Sequence, residues 1–199
     1  ALLSGDVDFI NPVPIQDTAR LAANDQVKVI QGIEARVIML GFPHEAGALK
    51  YSNETTDANP FADVRVRQAV AHAVNVPAIL QTIMRGNAEE VSQLVSPAMR
   101  GYSAGLAARP AFDPEKARAL LAEAGYPDGF SFGLKCPNDR YLNDEAVCQA
   151  VTGRLAQVGM RATLDAMPVQ NYWPELRSDN YDMYLLGWSP GTFDAEHPV

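Results

Sequence analysis

Two cysteines are all that 199 residues contain, and no CxxC pair or other close spacing of metal-binding residues accompanies them. The usual zinc scaffolds are therefore excluded. Histidine is equally sparse, and His44, His72 and His197 fall in unrelated stretches. The sequence has no GxSxG elbow, no HExxH and no phosphate-cradling glycine loop, so the common hydrolase and nucleotide-binding signatures are missing. Basic residues are few and scattered: 16 Lys and Arg stand against 24 Asp and Glu, a net charge of −8. A phosphate backbone requires clustered cations, so nucleic-acid binding is not indicated. Apolar runs such as Val37 to Phe42 fall far short of the roughly 20 residues that cross a bilayer as a helix. There is no internal repeat or low-complexity tract.

What is present is a set of helices with defined ends. In DPEKARALLAEAGYPDGF, Asp113 is placed to cap the first turn and Pro114 occupies the first helical position, where no amide donor is needed. Ala117, Leu120, Leu121 and Ala124 recur at helical spacing, and Gly125 stands where a left-handed residue ends a helix. In NPFADVRVRQAVAHAVN, Val66, Ala69, Val70, Ala73 and Val74 form a second stripe. Arg65 and Arg67 leave that stripe and read as solvated, and His72 reads as a packing residue. Asn75 ends this helix and caps the next, Val76 to Met84.

Elsewhere, Gly5 to Ile10 alternates as a strand, with Asp6 and Asp8 on one face, and Ile15 to Ala23 is helical. Val27 to Ile30 and Arg36 to Phe42 read as two strands around Gly32, the arrangement of a hairpin. Glu45 to Asn59 is a polar surface loop, and Val95 to Arg109 a long connection. From Phe130 the pattern alternates: strand to Leu134, helix Asn143 to Val158, strand Arg161 to Met167, helix Gln170 to Arg177, strand Tyr181 to Gly187. This predicts an α/β fold, a mixed β-sheet flanked by helices.

The two strings together, with Asn59, Pro60, Asp63, Arg65, Val66, Arg67, Gln68, Ala69 and Asn75 in one and Asp113, Pro114, Ala117, Leu120, Leu121, Ala124, Gly125 and Tyr126 in the other, resemble the extracytoplasmic solute-binding proteins of family 5. These serve ABC importers of peptides, oligopeptides and nickel complexes. The opening ALLSGDVDFI and the stretch YDMYLLGW at Tyr181 to Trp188 extend the resemblance essentially end to end. It implies one lobe of a two-lobed, type II periplasmic-binding-protein fold. Residues 1–199 are read as a single lobe, the carboxy-terminal, ligand-binding one, of a longer protein incomplete at both ends. The implied protein is not an enzyme, uses no cofactor, acts as a monomer outside the cytoplasmic membrane, and has a membrane permease and a small-molecule or peptide ligand as partners.

The ligand surface implied by the resemblance comprises Trp188, Ser189, Gly191, Thr192 and Asp194. By composition alone Trp188 is more readily a core aromatic capping the sheet, since large aromatics are highly buried on average. In peptide-binding members the tryptophan of this motif lines the cleft. Those members commonly place an aspartate three residues later, against the ligand's ammonium group, where this chain has Gly191. Asp194 is a substitute from a different point in the loop, or the ligand has no free amine there, or another lobe provides the carboxylate. A nickel or other metal chelate and a sugar-like neutral solute are thus alternative ligands on the same fold, and a cysteine hydrolase is the alternative from another class. For an exported protein, Cys136 and Cys148 either form a disulfide, closing a short loop worth ~3 kcal/mol in the chain-entropy picture, or remain two buried thiols.

Overall fold

The carboxylate of Asp113 accepts a hydrogen bond from the Lys116 amide at 2.9 Å, which starts α4 (Pro114–Glu123), and Gly125 takes φ +95° beyond its end. That local grammar recurs along the chain in the computed structural model, which describes residues 1–32, 34–43, 45, 47–52, 58–97, 99–189 and 191–192. Asn75 caps α3 (Val76–Thr82) through the Ala78 amide at 3.0 Å. The string beginning at Asn59 is divided more finely than its periodicity suggests. Asn59 caps a single 3-10 turn, Pro60–Ala62, and Asp63 then caps α2 (Val64–Ala73) through the Arg65 amide at 2.8 Å. The remaining helices are α1 (Ile15–Ala22), α5 (Asp144–Ala156) and α6 (Val169–Arg177).

Four strands, β1 (Val37–Gly41), β2 (Phe130–Pro137), β3 (Met160–Met167) and β4 (Met183–Trp188), make one mixed sheet in the order β1-β4-β2-β3. β2 runs parallel to both β3 and β4, whereas β1 is antiparallel to β4, with Val37 opposite Trp188. The predicted hairpin around Gly32 is therefore corrected: among the described residues Val27–Ile30 joins no strand, and β1 finds its partner some 150 residues away. Gly5–Ile10 is no strand either. Its start is folded into turns, with the Gly5 amide on the Leu2 carbonyl and the Asp6 amide on Ala1. Alternation describes a strand only where a sheet edge receives it, and this segment has none.

One face of the sheet carries Phe130, Phe132, Leu134, Met160, Met183 and Leu185, and it packs against α2, α4 and α5 in a single core. Lys135, which alternates with that face, bonds Glu175 of α6, so α6 covers the opposite face. β2 is buried on both sides in consequence. Cys136 and Cys148, both fully buried, are joined in a disulfide with Cα atoms 6.6 Å apart, tying the end of β2 to α5. Arg65 and Arg67 are not merely solvated. Arg65 donates to the Asp63 carboxylate and to the Glu123 carbonyl, and Arg67 to the carbonyls of Phe61 and Ala62, so both fasten the start of α2. His72 is a packing residue whose Nδ1 lies 2.8 Å from the Ala111 carbonyl.

The Lys135 ammonium, whose side chain is 6% exposed, reaches Asp165 at 2.7 Å and Glu175 at 3.1 Å and sits 4.8 Å from the Tyr51 ring centroid. Burial alone would lower its pKa, but hydrogen bonds to Asp165, Glu175 and Tyr51 outweigh it and hold the group above the usual lysine range. The same contact, with a bond from Asn180, holds Glu175 below its ordinary 4.5. A carboxylate depressed in the fold contributes stability that is complete above its unfolded pKa and disappears as pH falls through its folded one. The raised lysine contributes below its ordinary value and only loses that contribution at strongly alkaline pH. Stability is thus expected to hold through neutral pH and to decline below pH 4.5. Lys135→Met should flatten that acid slope; denaturant midpoints measured from pH 7 to pH 3 check it, and an unchanged slope contradicts it.

Candidate functional site

The three parallel strands end along one edge of the sheet, at Pro137, Met167 and Trp188, and the loops that leave this edge gather there with the segment entering β1. In open α/β sheets the carboxyl ends of parallel strands, where crossovers diverge, are where a crevice forms. Here α5 and α6 leave on opposite faces, so β2 stands at such a divergence. Trp188 closes β4 half-buried, opposite Val37, neither sealed in the core nor fully exposed. Ser189 is exposed, and its hydroxyl donates to the Ala35 carbonyl at 3.3 Å, holding the departing chain against the β1 entry. Gly191 and Thr192 are exposed just beyond. Four of the expected site residues therefore share one strand exit; the fifth, Asp194, lies outside the described residues, as do His44 and His197.

The loop after β2 supplies what the sequence reading did not include. Tyr141 lies across Gly187 on the face of β4 opposite Trp188, so close that a Cβ at Gly187 would sit 2.5 Å from the ring. The Arg140 guanidinium is 5.3 Å and that of Arg36 5.7 Å from the Tyr141 ring centroid. Arg36 is neutralised by Glu34 at 2.7 Å, whereas the Arg140 guanidinium meets no carboxylate among the described residues. A guanidinium held by a ring at a sheet edge offers planar paired donors to a carboxylate. The signal that could have found these residues was positional: 138–143 follows a parallel strand just as the Trp188 turn does. Their meeting at Gly187 depends on a strand order that no local pattern encodes.

The loop itself is firmly built. Asp144, the first residue of α5 and 4% exposed, accepts both the Arg140 and the Tyr141 amides at 2.9 Å, and its other oxygen accepts the Glu145 amide at 3.0 Å. Asn143 adopts φ +54° and its amide group donates to the Ile83 carbonyl at 3.0 Å, so α3 supports the same turn. Asp139 accepts the Val169 amide at 2.7 Å, joining the loop to the start of α6. Acceptors and conformational constraint thus aim Arg140 and Tyr141 at the edge where Trp188 and Ser189 emerge. Among the described residues the edge presents the Trp188 indole, the Tyr141 ring with the Arg140 guanidinium over it, and the Ser189 hydroxyl. Groups of this kind suit apolar and hydrogen-bonded contact with a small solute.

Comparison with known proteins identifies the family and the fold. The model of a family described as bacterial extracellular solute-binding proteins, family 5 Middle, matches residues 1–199. The glutathione-binding protein GsiB of Salmonella choleraesuis (strain SC-B67) is 30% identical over 200 residues, which cover 98% of this chain and 36% of the relative. GsiB of Escherichia coli O157:H7 matches over the same proportions. The chain therefore spans little more than a third of the length of these curated relatives. Among solved structures, the periplasmic binding protein AgaA in complex with agropinic acid from A. tumefacien R10 is 30% identical with a TM-score of 0.74, over 98% of this chain and 37% of that one. The dipeptide binding protein of Pseudoalteromonas sp. SM9913 in complex with Met-Leu, 22% identical, shares the fold with a TM-score of 0.82 over 98% of this chain and 36% of that one.

Proposed function

The chain belongs to the bacterial extracellular solute-binding proteins of family 5, and from that membership we propose that it forms the carboxy-terminal, ligand-binding lobe of a receptor for peptides or oligopeptides. In this reading a second lobe opposes the edge at Trp188, the two close on the solute outside the cytoplasmic membrane, and the loaded receptor delivers it to an ABC permease. The observation that carries the proposal is the half-buried indole of Trp188 at the open end of the parallel strands. An indole there gives a broad apolar face and one donor, which suits a pocket accepting side chains of varied shape. Closure is stabilised only to the extent that the solute gains contacts with the second wall, so one lobe alone binds weakly.

Arg140 adds a carboxylate contact, as the end of a peptide would require. Gly191 supplies no acid for an ammonium group, and this favours as a second reading a solute that lacks a free amine at that point. Calorimetric titration of the full-length protein with short peptides and with their amidated counterparts tests both. Trp188→Ala is expected to weaken binding by about 30-fold or more, the scale of an interfacial aromatic anchor. Arg140→Ala should weaken free-acid peptides and leave amidated ones nearly unchanged. Micromolar or tighter binding by residues 1–199 alone would contradict the two-wall account, and full affinity in Trp188→Ala would remove the site from this edge.

A further inference from the structure

The Cys136–Cys148 bridge brackets the whole of the loop that carries Arg140 and Tyr141, one sulfur at the end of β2 and the other in the second turn of α5. Apolar contact fixes that loop at one point, the half-buried Tyr141 ring against the core and Gly187, while Arg140 is exposed and Leu142 is 40% exposed. The rest of its order comes from the Asp144 acceptors, the Asn143 turn, the Asp139 bond to the Val169 amide and the covalent closure. The first two depend on where Asp144 and Asn143 stand relative to β2; the packing of α5 on the sheet sets that relation, and the bridge locks it at the loop's end of the helix, since Cys148 lies one helical turn after Asp144. Segments with few buried apolar contacts open readily unless a cross-link limits their freedom.

We propose that the disulfide is a positioning element of the binding edge: by closing residues 137–147 into a short loop it holds the Arg140–Tyr141 pair over Gly187 before a solute arrives, so that solute affinity depends on the bridge being formed. A loop ordered in advance loses less freedom on binding, and that saving appears directly as affinity. Both sulfurs are fully buried, so the bridge acts as a permanent brace rather than an exchangeable contact. The inference rests on the proposed site, and its test separates the two.

Amide hydrogen exchange at Arg140 and Tyr141 would be compared between the full-length protein and its Cys136→Ala/Cys148→Ala variant, at a temperature where circular dichroism shows both fully folded. Affinity for S-methylglutathione, which has no thiol to attack the bridge, and for Met-Leu would be measured in parallel. Without the bridge, exchange at these two amides is expected to quicken at least tenfold while the strand amides of β2 and β3 hold, with affinity for a bound probe falling about tenfold. Exchange unchanged within twofold, or faster exchange with affinity intact, overturns the proposal. Trp188→Ala is the discriminating control. If it binds as the wild type does, the site reading fails whatever the loop does; if it weakens binding and the cysteine variant does not, only the brace fails. Should the alanine pair not fold, Cys136→Val/Cys148→Ala fills more of the space vacated by the sulfurs and serves the same comparison.

Discussion

Replacing Asp182 by alanine is expected to cost about 3–5 kcal/mol of folding stability, although the residue touches no part of the ligand edge. Its carboxylate, 1% exposed, accepts three backbone amides: Lys50 at 2.6 Å, Tyr51 at 3.0 Å and Gly133 at 2.8 Å. One acidic side chain thus joins the loop after β1, the middle of β2 and the start of β4. Removing it orphans three donors, each worth about 1–3 kcal/mol when buried and unmet; water reaching the loop at Lys50 keeps the total toward the lower end. Asp182→Asn is the informative companion. Asparagine has a single acceptor oxygen, which can keep the Tyr51 and Gly133 amides or the Lys50 amide, and its own amide group then faces a donor. Its cost should fall between wild type and alanine, about 1–3 kcal/mol. Urea unfolding of the three proteins gives the order directly. Alanine within 1 kcal/mol of wild type would mean that the three amides find other partners and that the loop is not held by this residue.

Truncating Phe61 to alanine should be as damaging by a different route, at about 3–5 kcal/mol, which for a chain of this size lowers the melting temperature by roughly 6–20 °C. The ring is fully buried, stacked on Phe42 at 5.0 Å and edge-on to Phe130 and Phe132 at 5.5 and 5.2 Å. It therefore links the segment after β1, the start of α2 and the central strand. Asn59 holds it there, accepting the Phe61 amide at 2.9 Å while its own amide group donates to the carbonyls of Pro43 and Glu45. Four aromatic surfaces meeting at one point leave little room for collapse, so the cavity persists and its cost adds to the lost transfer energy. Phe61→Leu fills most of the space and should cost clearly less. Scanning calorimetry showing alanine and leucine equally destabilised would indicate a site that relaxes freely, contrary to the packing described.

The two residues differ in how far the chain announces them. Phe61 sits inside a string whose Asn, Pro and apolar stripe mark it as the start of a helical unit. Asp182 sits in YDMYLLGW, where the strand and its closing tryptophan are evident and the aspartate is one more acid among 24. The same contrast holds at the proposed binding edge. Trp188 and the residues that follow it are legible as a strand exit, and the resemblance carried by the two helical strings points to them. Tyr141 and Arg140 are not, because their significance lies in a ring resting on a glycine of a strand 46 residues away. The bond between Cys136 and Cys148 lies between: spacing permitted it, and the 6.6 Å separation of Cα atoms, set by how α5 packs on β2, decided it.

By itself the sequence determined the helices, their caps at Asp113 and Asn75, the helix end at Gly125, the later strands and the α/β alternation. These depend on partners within a few residues, so the local chain contains the whole interaction. Only the tertiary structure decided that Gly5–Ile10 and Val27–Ile30 are not strands, that β1 joins β4, and that Asp182 spans the sheet to the Lys50 loop. It also decided that Arg140 and Tyr141 stand beside the tryptophan edge. Strand pairing and the satisfaction of buried polar groups are settled between segments distant in the chain, such as 30 residues for Lys135–Asp165 and 132 for Lys50–Asp182, where the energy of each depends on which neighbour arrives, and periodicity carries no record of the neighbour.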